Sequence, residues 1–323
     1  MPAKRTTILR WTGRGSLSRL EDSVGYVLKE DRMRGAVSSI GGSILVKGPE
    51  PLGVAARLQH MPGVSWLAAG YGARSTEELV REGESLAKKY LKPGDRFSVA
   101  AEATGGVLAS DLAGAITAKA LEAAKGARVS ESPKVRFRVA VDGKEGAVGV
   151  EVAAGVGGVP TGSEAAVCLV SGGAHSSVTA WLAMLAGFRV RLVHAMESDE
   201  SLLAVARLYS ELSNRGDPRG LSLVVLEGGS VPRMLAEYSA ASEGKVFGGF
   251  HAVEEGPAGR LRRTASSPLY LAPEEWLAAL FESLGVRPHD HRVRWGAGGS
   301  PKLTTRRFSG GPADVSSVLE GLA

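Results

Sequence analysis

The sequence predicts a multidomain protein of mixed class, α+β in its first half and α/β in its second, on three observations. Strands up to Val152 come as hairpins around helices, whereas apolar strands from Ala166 onward alternate with helices. A glycine-rich stretch, Gly155–Gly162, separates the two patterns. At 323 residues, 44% of them hydrophobic, the chain can bury cores for two or three domains without disulfide or metal staples.

The first segment reads strand (Thr6–Trp11), helix (Ser18–Leu28), a hairpin turning at Gly41-Gly42 (Val37–Lys47) and helix (Leu52–Gln59), broken at Met61-Pro-Gly-Val64. The paired glycines tolerate the positive φ of a two-residue turn. This β-α-β-β-α order is that of a ferredoxin-like unit over residues 1–62. Ser75 and Glu78 then form a capping box ahead of Leu79, Gly83, Leu86 and Tyr90, which share one helical face; Lys92-Pro-Gly-Asp95 ends that helix. A strand (Phe97–Ala101), a helix (Ser110–Ala124) and a hairpin (Val135–Val141, Ala147–Val152) turning at Asp142-Gly143 complete a second domain, 63–158.

The third domain, 159–323, reads strand (Ala166–Val170), helix (Ser177–Ala186), strand (Arg189–His194), helix (Leu202–Leu212) and strand (Leu221–Leu226). Uninterrupted apolar strands between helices predict a doubly wound parallel sheet buried on both faces. Ligands of such sheets bind beyond the carboxyl ends of the strands, where the strand order reverses. A late helix is expected from Pro273 to before Gly285, and the Gly-, Pro- and Arg-rich tail from Arg287 reads as loop.

Composition narrows the function classes. No run of 18 apolar residues occurs, and Met1-Pro-Ala-Lys-Arg has no signal-peptide core, so a cytoplasmic protein without membrane partners is expected. The single cysteine, Cys168, excludes an internal disulfide and a cysteine-based zinc knuckle. One Asn (Asn214) and one Gln (Gln59) in the whole chain give it the composition of a hot-environment protein. Residues 1–62 carry ten Lys/Arg against five Asp/Glu, and the rest is nearly balanced. Such a basic end suits an RNA partner through counterion release, and equally suits a solvated basic face.

The stretch Val167-Cys-Leu-Val-Ser-Gly-Gly-Ala-His-Ser-Ser177 runs from an apolar strand through Ser-Gly-Gly into an apolar helix. Glycines let main-chain amides approach a phosphate, and a helix N-terminus presents its positive end to the same place. Ser171, Ser176 and Ser177 add hydroxyls. No lysine lies in the loop and no G-x-x-x-x-G-K-[ST] occurs, which excludes a Walker-type NTPase.

Together with Gly155-Val-Gly-Gly-Val-Pro-Thr-Gly162 before it and Ala180 to His194 after it, this run resembles the tRNA 4-thiouridine synthetases. Those enzymes join a ferredoxin-like domain and a THUMP RNA-binding domain to a PP-loop ATPase domain with the signature Ser-Gly-Gly-x-Asp-Ser. The resemblance implies ATP and magnesium as cofactors and tRNA as substrate. A uridine oxygen would attack the α-phosphorus, and sulfur would then displace the adenylate. It places nucleotide contacts at Ser171, Gly172, Gly173, His175, Ser176, Ser177, His194, Gly248 and Gly249, and RNA contacts at Arg10, Arg14, Arg19, Lys134 and Arg136.

The chain departs from the family at several points. His175 stands where the family has its signature Asp, and imidazole is a poor ligand for a hard cation. The THUMP strand that usually bears basic residues reads Ala100-Ala101-Glu102. The family's sulfur-carrying cysteines are absent, and Cys168, mid-strand, reads as a buried core thiol, so sulfur would come from an external donor. Two readings stay open: an ATP-using tRNA modification protein, or a homologue that binds RNA, with or without nucleotide, and does not thiolate. A homodimer is allowed by either. Glu197, Asp199 and Glu200 around Ser198 read as a helix start rather than a metal site, and His289-Asp-His291 is too short a ligand set to count.

Overall fold

A computed structural model describes residues 4–143, 145–228, 230–249 and 265–266 and the backbone of 304–309, and the chain divides into two compact units, Met1–Pro160 and Thr161–Ala323. The expected late helix and His289-Asp-His291 lie outside the described residues. No helix among those described is long and apolar enough to cross a membrane.

The first unit runs β1 (Lys4–Trp11), α1 (Leu17–Glu30), β2 (Ala36–Ile40), β3 (Ser43–Lys47), α2 (Pro51–Leu58), β4 (Val64–Ala73), α3 (Thr76–Tyr90), β5 (Arg96–Thr104), α4 (Ala109–Ala123), β6 (Arg128–Val129), β7 (Val135–Asp142) and β8 (Glu145–Gly157). All eight strands form one sheet in the order β2-β3-β1-β4-β8-β7-β5-β6. Two apolar cores lie on it. Leu9, Leu20, Val24, Ile44 and Leu58 form one with α1 and α2; Leu79, Leu86, Phe97, Ile116 and Phe137 form the other with α3 and α4. As expected of the cap, Ser75 accepts from the Glu78 N–H at 3.2 Å, whereas the Glu78 carboxylate takes the N–H of Arg74, one residue before the cap, at 2.9 Å, so the box is not reciprocal.

β4, which the sequence pattern does not predict, joins the two halves by pairing with β1 on one edge and β8 on the other. Its Ala- and Gly-rich sequence, Val-Ser-Trp-Leu-Ala-Ala-Gly-Tyr-Gly-Ala, has a low strand propensity. Packing requires those small residues, since a Cβ at Gly70 would run into the Val148 carbonyl. The sheet curls until its own inner face closes over Ile8, Ile40, Leu45, Ala68, Ala140 and Ala147. Arg10 on β1 is ion-paired with Glu102 on β5, four strands away. In a flat sheet those strands would lie about 19 Å apart, beyond an arginine's reach. β8 also extends through Gly157, so part of the expected linker is strand.

The second unit begins with β9 (Ala165–Leu169), α5 (Ala174–Leu185), β10 (Arg189–Ala195), α6 (Asp199–Arg215), β11 (Leu221–Glu227), α7 (Val231–Ala241) and β12 (Lys245–Gly248). The sheet order is β12-β9-β10-β11-β13, with β9, β10 and β11 parallel as expected and β12 a further parallel strand that the sequence pattern does not give. β13 (Thr304–Ser309) pairs antiparallel with β11, which corrects the expectation of loop throughout the tail. Val167, Leu169, Val193, Val224, Leu226 and Met234 fill one side of this sheet. Ser198 caps α6 in a reciprocal box with Ser201, so the acidic residues there open a helix.

Candidate nucleotide site and basic surface

β9 delivers the chain to Val170 and the loop Ser171-Gly172-Gly173 turns it into α5. The helix starts at Ala174 with Gly173 as its N-cap, earlier than the sequence pattern predicts, because the Ser177 N–H already reaches the Gly173 carbonyl at 3.2 Å. The amides of Ala174 and Ser176 precede that bond and have no acceptor inside the helix, whose positive end they form. Gly172, at φ +80, packs its bare Cα toward α6, where a Cβ would stand 2.7 Å from Ala204 Cβ. Among the described residues a Cβ on Gly173 would meet only Ser171 Oγ, at 3.4 Å, so of the two loop glycines this one is the less crowded by them.

The serines hold the loop together. Ser176 and Ser177 are buried, and their hydroxyls donate to the Gly173 carbonyl at 2.9 and 3.0 Å. Ser176 Oγ also accepts the Ser171 N–H at 3.3 Å. These two hydroxyls therefore shape the turn. Ser171 Oγ accepts the Gly173 N–H at 3.4 Å.

β9 leads through α5 to β10 on one side, whereas the chain after β12 returns at Ser266, which bridges to Phe247. The carboxyl ends of β9 and β12 thus flank the point where strand order reverses, the place where open α/β sheets bind ligands. Gly248 ends β12 there, and its N–H donates to the Ser266 carbonyl at 2.9 Å. Gly249 lies against the first turn of α5: a Cβ on it would stand 2.5 Å from Ser176 N and 2.7 Å from His175 C. The residues that the sequence assigns to the nucleotide, His194 near the carboxyl end of β10 included, therefore lie together at one end of the sheet.

His194 does other work. It is buried, its Nδ1 lies 2.9 Å from the Val170 carbonyl and its Nε2 3.1 Å from Ser201 Oγ. A carbonyl can only accept, so Nδ1 carries the proton, and the ring ties the end of β9 to the first turn of α6. Burial pushes its pKa below the ordinary histidine value, with the Val170 bond opposing in part. The unfolded chain therefore binds a proton that the folded one refuses. The His194 contribution to stability is complete above about pH 6.5 and falls as pH drops toward the depressed folded value, by up to about 1.4 kcal/mol per pH unit. Urea unfolding from pH 7.5 to 5 should show a shallower loss in His194→Gln than in the native chain; equal slopes would place the acid sensitivity elsewhere.

Cys168 is fully buried in mid-β9, and desolvation pushes its thiol up to about 12, so it holds almost no thiolate at neutral pH. His175 is the second residue of α5 and half-buried. Among the described residues no group of three His, Cys, Asp or Glu side chains is placed to hold a metal ion. Magnesium reaching this loop would draw its oxygen ligands chiefly from the nucleotide phosphates and water.

Of the five basic residues expected at RNA, three are in ion pairs. Arg10 is paired with Glu102, Lys134 with Asp95 at 2.8 Å and Arg136 with Glu151 at 3.6 Å. Glu151 also holds Arg138 at 2.6 Å, whose guanidinium lies over the Trp66 ring, 4.6 Å from its centroid. Arg14 and Arg19 are exposed around the β1–α1 turn, where Ser16 caps α1.

Comparison with known proteins fits this architecture. Residues 161–245 match the family model described as thiamine biosynthesis protein (ThiI). The structure of PH1313 from Pyrococcus horikoshii Ot3 is similar over 87% of this chain and 100% of that one, with a TM-score of 0.69 at 21% identity. A 4-thiouridine synthetase–RNA complex with bound ATP is similar over 87% of this chain and 85% of that one, with a TM-score of 0.67 at 16% identity. At those identities the likeness to the solved structures is one of fold. No curated protein sequence matches the chain.

Proposed function

Residues 161–245 match the ThiI family and the chain has the fold of a 4-thiouridine synthetase; from that premise we propose that the protein acts in tRNA modification, binding RNA and using ATP at the β9–α5 loop. The observation that carries the nucleotide part is the meeting of Gly173, Gly249 and the first turn of α5 at the switch point of the parallel sheet. Outward amides there would receive phosphate oxygens, and the polarised helix end would offset charge developing as a uridine oxygen attacks the α-phosphorus. Magnesium would arrive on the nucleotide and supply further charge neutralisation. Pyrophosphate leaves in that step, and sulfur then displaces the adenylate from the base.

Sulfur cannot come from Cys168, whose thiol is buried and protonated, so a separate donor or free sulfide must supply it. Incubation with ATP, magnesium, sulfide and unmodified tRNA should yield a product absorbing in the near ultraviolet. A second reading, RNA and nucleotide binding without thiolation, is favoured by His175 in the place of the family's Asp. It is selected if binding persists and no sulfur source gives product.

RNA binding has its own test. Of the five basic residues expected at RNA, Arg14 and Arg19 are exposed with no ion pair among the described residues, so these two are better able to release counterions than the three paired ones. Replacing both by Ala should lower the slope of log K against log salt by about 2. Arg10→Ala should change it less, because Glu102 already neutralises that charge. Equal affinity for tRNA and an unrelated polyanion would reduce the RNA reading to nonspecific attraction.

A further inference from the structure

The first unit has a recess of its own. In the first unit, α2 and α3 part over β4 and leave a cleft of about 400 Å³, lined by Arg5, Glu50, Leu52, Tyr71, Lys89 and Tyr90. Its floor is Ala69-Gly70, too small to fill the gap between the helices. Apolar surface is left exposed there: Leu52 is 58% and Tyr90 37% accessible, against near-complete burial of the neighbouring Leu58 and Leu86. The Lys89 ammonium lies 5.1 Å from the Tyr90 ring centroid, and Arg5 Nη1–H donates to the Pro49 carbonyl at 3.2 Å.

The combination selects a ligand class. Two cations against the one carboxylate of Glu50 favour an anion, while a tyrosine ring and a leucine side chain offer a flat apolar wall. The volume lies within the range of small-molecule sites and suits one base with its sugar and phosphate. A base gains from stacking on an aromatic ring whatever its identity. Glu50 can accept from an exocyclic amine or a ribose hydroxyl. We propose that this cleft holds one unpaired nucleotide of the bound RNA, its base against Tyr90 and Leu52 and its phosphate between Arg5 and Lys89. The proposal rests on the RNA-binding reading above, and a free mononucleotide carries the same chemistry.

Titrations with tRNA, with a blunt RNA duplex lacking unpaired nucleotides, and with CMP separate the cases. Tyr90→Ala, at an exposed position, should weaken tRNA binding about tenfold at every salt concentration without changing the salt slope, because stacking releases no counterions. Lys89→Ala should lower that slope by about 1, and the blunt duplex should respond to neither change. Unaltered tRNA affinity in both variants overturns the proposal. If the native protein binds no tRNA, the RNA reading fails and CMP decides. Saturable CMP binding that Tyr90→Ala removes and Gly249→Ala leaves intact keeps the cleft as a mononucleotide site. No CMP binding overturns it.

Discussion

Gly249→Ala is expected to weaken nucleotide binding on the order of a hundredfold while costing the second unit about 1–3 kcal/mol of stability. The added carbon would stand 2.5 Å from Ser176 N and 2.7 Å from both His175 C and Ser176 Cα. All three are main-chain atoms, so no side chain can rotate away. Either the chain after β12 backs off or the first turn of α5 is displaced, and either movement spoils the aim of the amides. A misplacement of about 1 Å at such a site costs on the order of a hundredfold. Isothermal titration with ATP and a thermal melt, run together, separate the two effects. A Gly249→Ala variant with native ATP affinity would mean that the Gly249–α5 contact is scaffold and that the nucleotide, if bound, lies elsewhere.

That contact shows which parts of the site a sequence can reveal. The Ser-Gly-Gly turn is legible because strand, loop and helix are consecutive, and their residue types are fixed by local geometry. Gly248-Gly249 is legible as a close-approach loop, but what it approaches depends on β12 pairing with β9, far earlier in the chain. The roles of Ser176, Ser177 and His194 are hidden for the same kind of reason. A hydroxyl one turn into a helix can point to a ligand or back to the N-cap carbonyl, and only the start of α5 at Ala174 decides for the carbonyl. His194 looks like a ligand at a strand end until Val170 and Ser201 are found on its two nitrogens.

The fold divides similarly. Hairpins, capped helices and the parallel strands follow from local pattern to within a few residues. β4 escapes the pattern because its Ala and Gly residues serve the curl of the sheet and not an alternation of faces, and β13 because its strand character comes from pairing with β11. The basic N-terminal segment suggests an RNA surface from charge counts alone. Its arginines divide only when distant carboxylates are placed: Glu102 neutralises Arg10 across 92 residues, while Arg14 and Arg19 are left to solvent.

His175→Asp tests whether the loop has kept everything but its carboxylate. The substituted side chain would sit at the second position of α5, where the helix dipole favours a negative charge by about 0.3–1 kcal/mol, so folding should not suffer. Its effect on ATP must depend on the metal. Without magnesium, a carboxylate beside the phosphates repels them and binding should weaken. With magnesium, the carboxylate gives a hard cation the oxygen ligand that imidazole denies it, and affinity should rise about tenfold or more, equivalent to about 1.4 kcal/mol. The decisive quantity is the ratio of ATP affinities with magnesium and with EDTA, which should be near unity for the native chain and large for the variant. A ratio that stays the same would show that position 175 does not face the phosphates. A native chain with a large ratio would instead mean that other oxygen ligands of the chain reach the metal, and would leave the thiolating reading intact without any carboxylate in the loop.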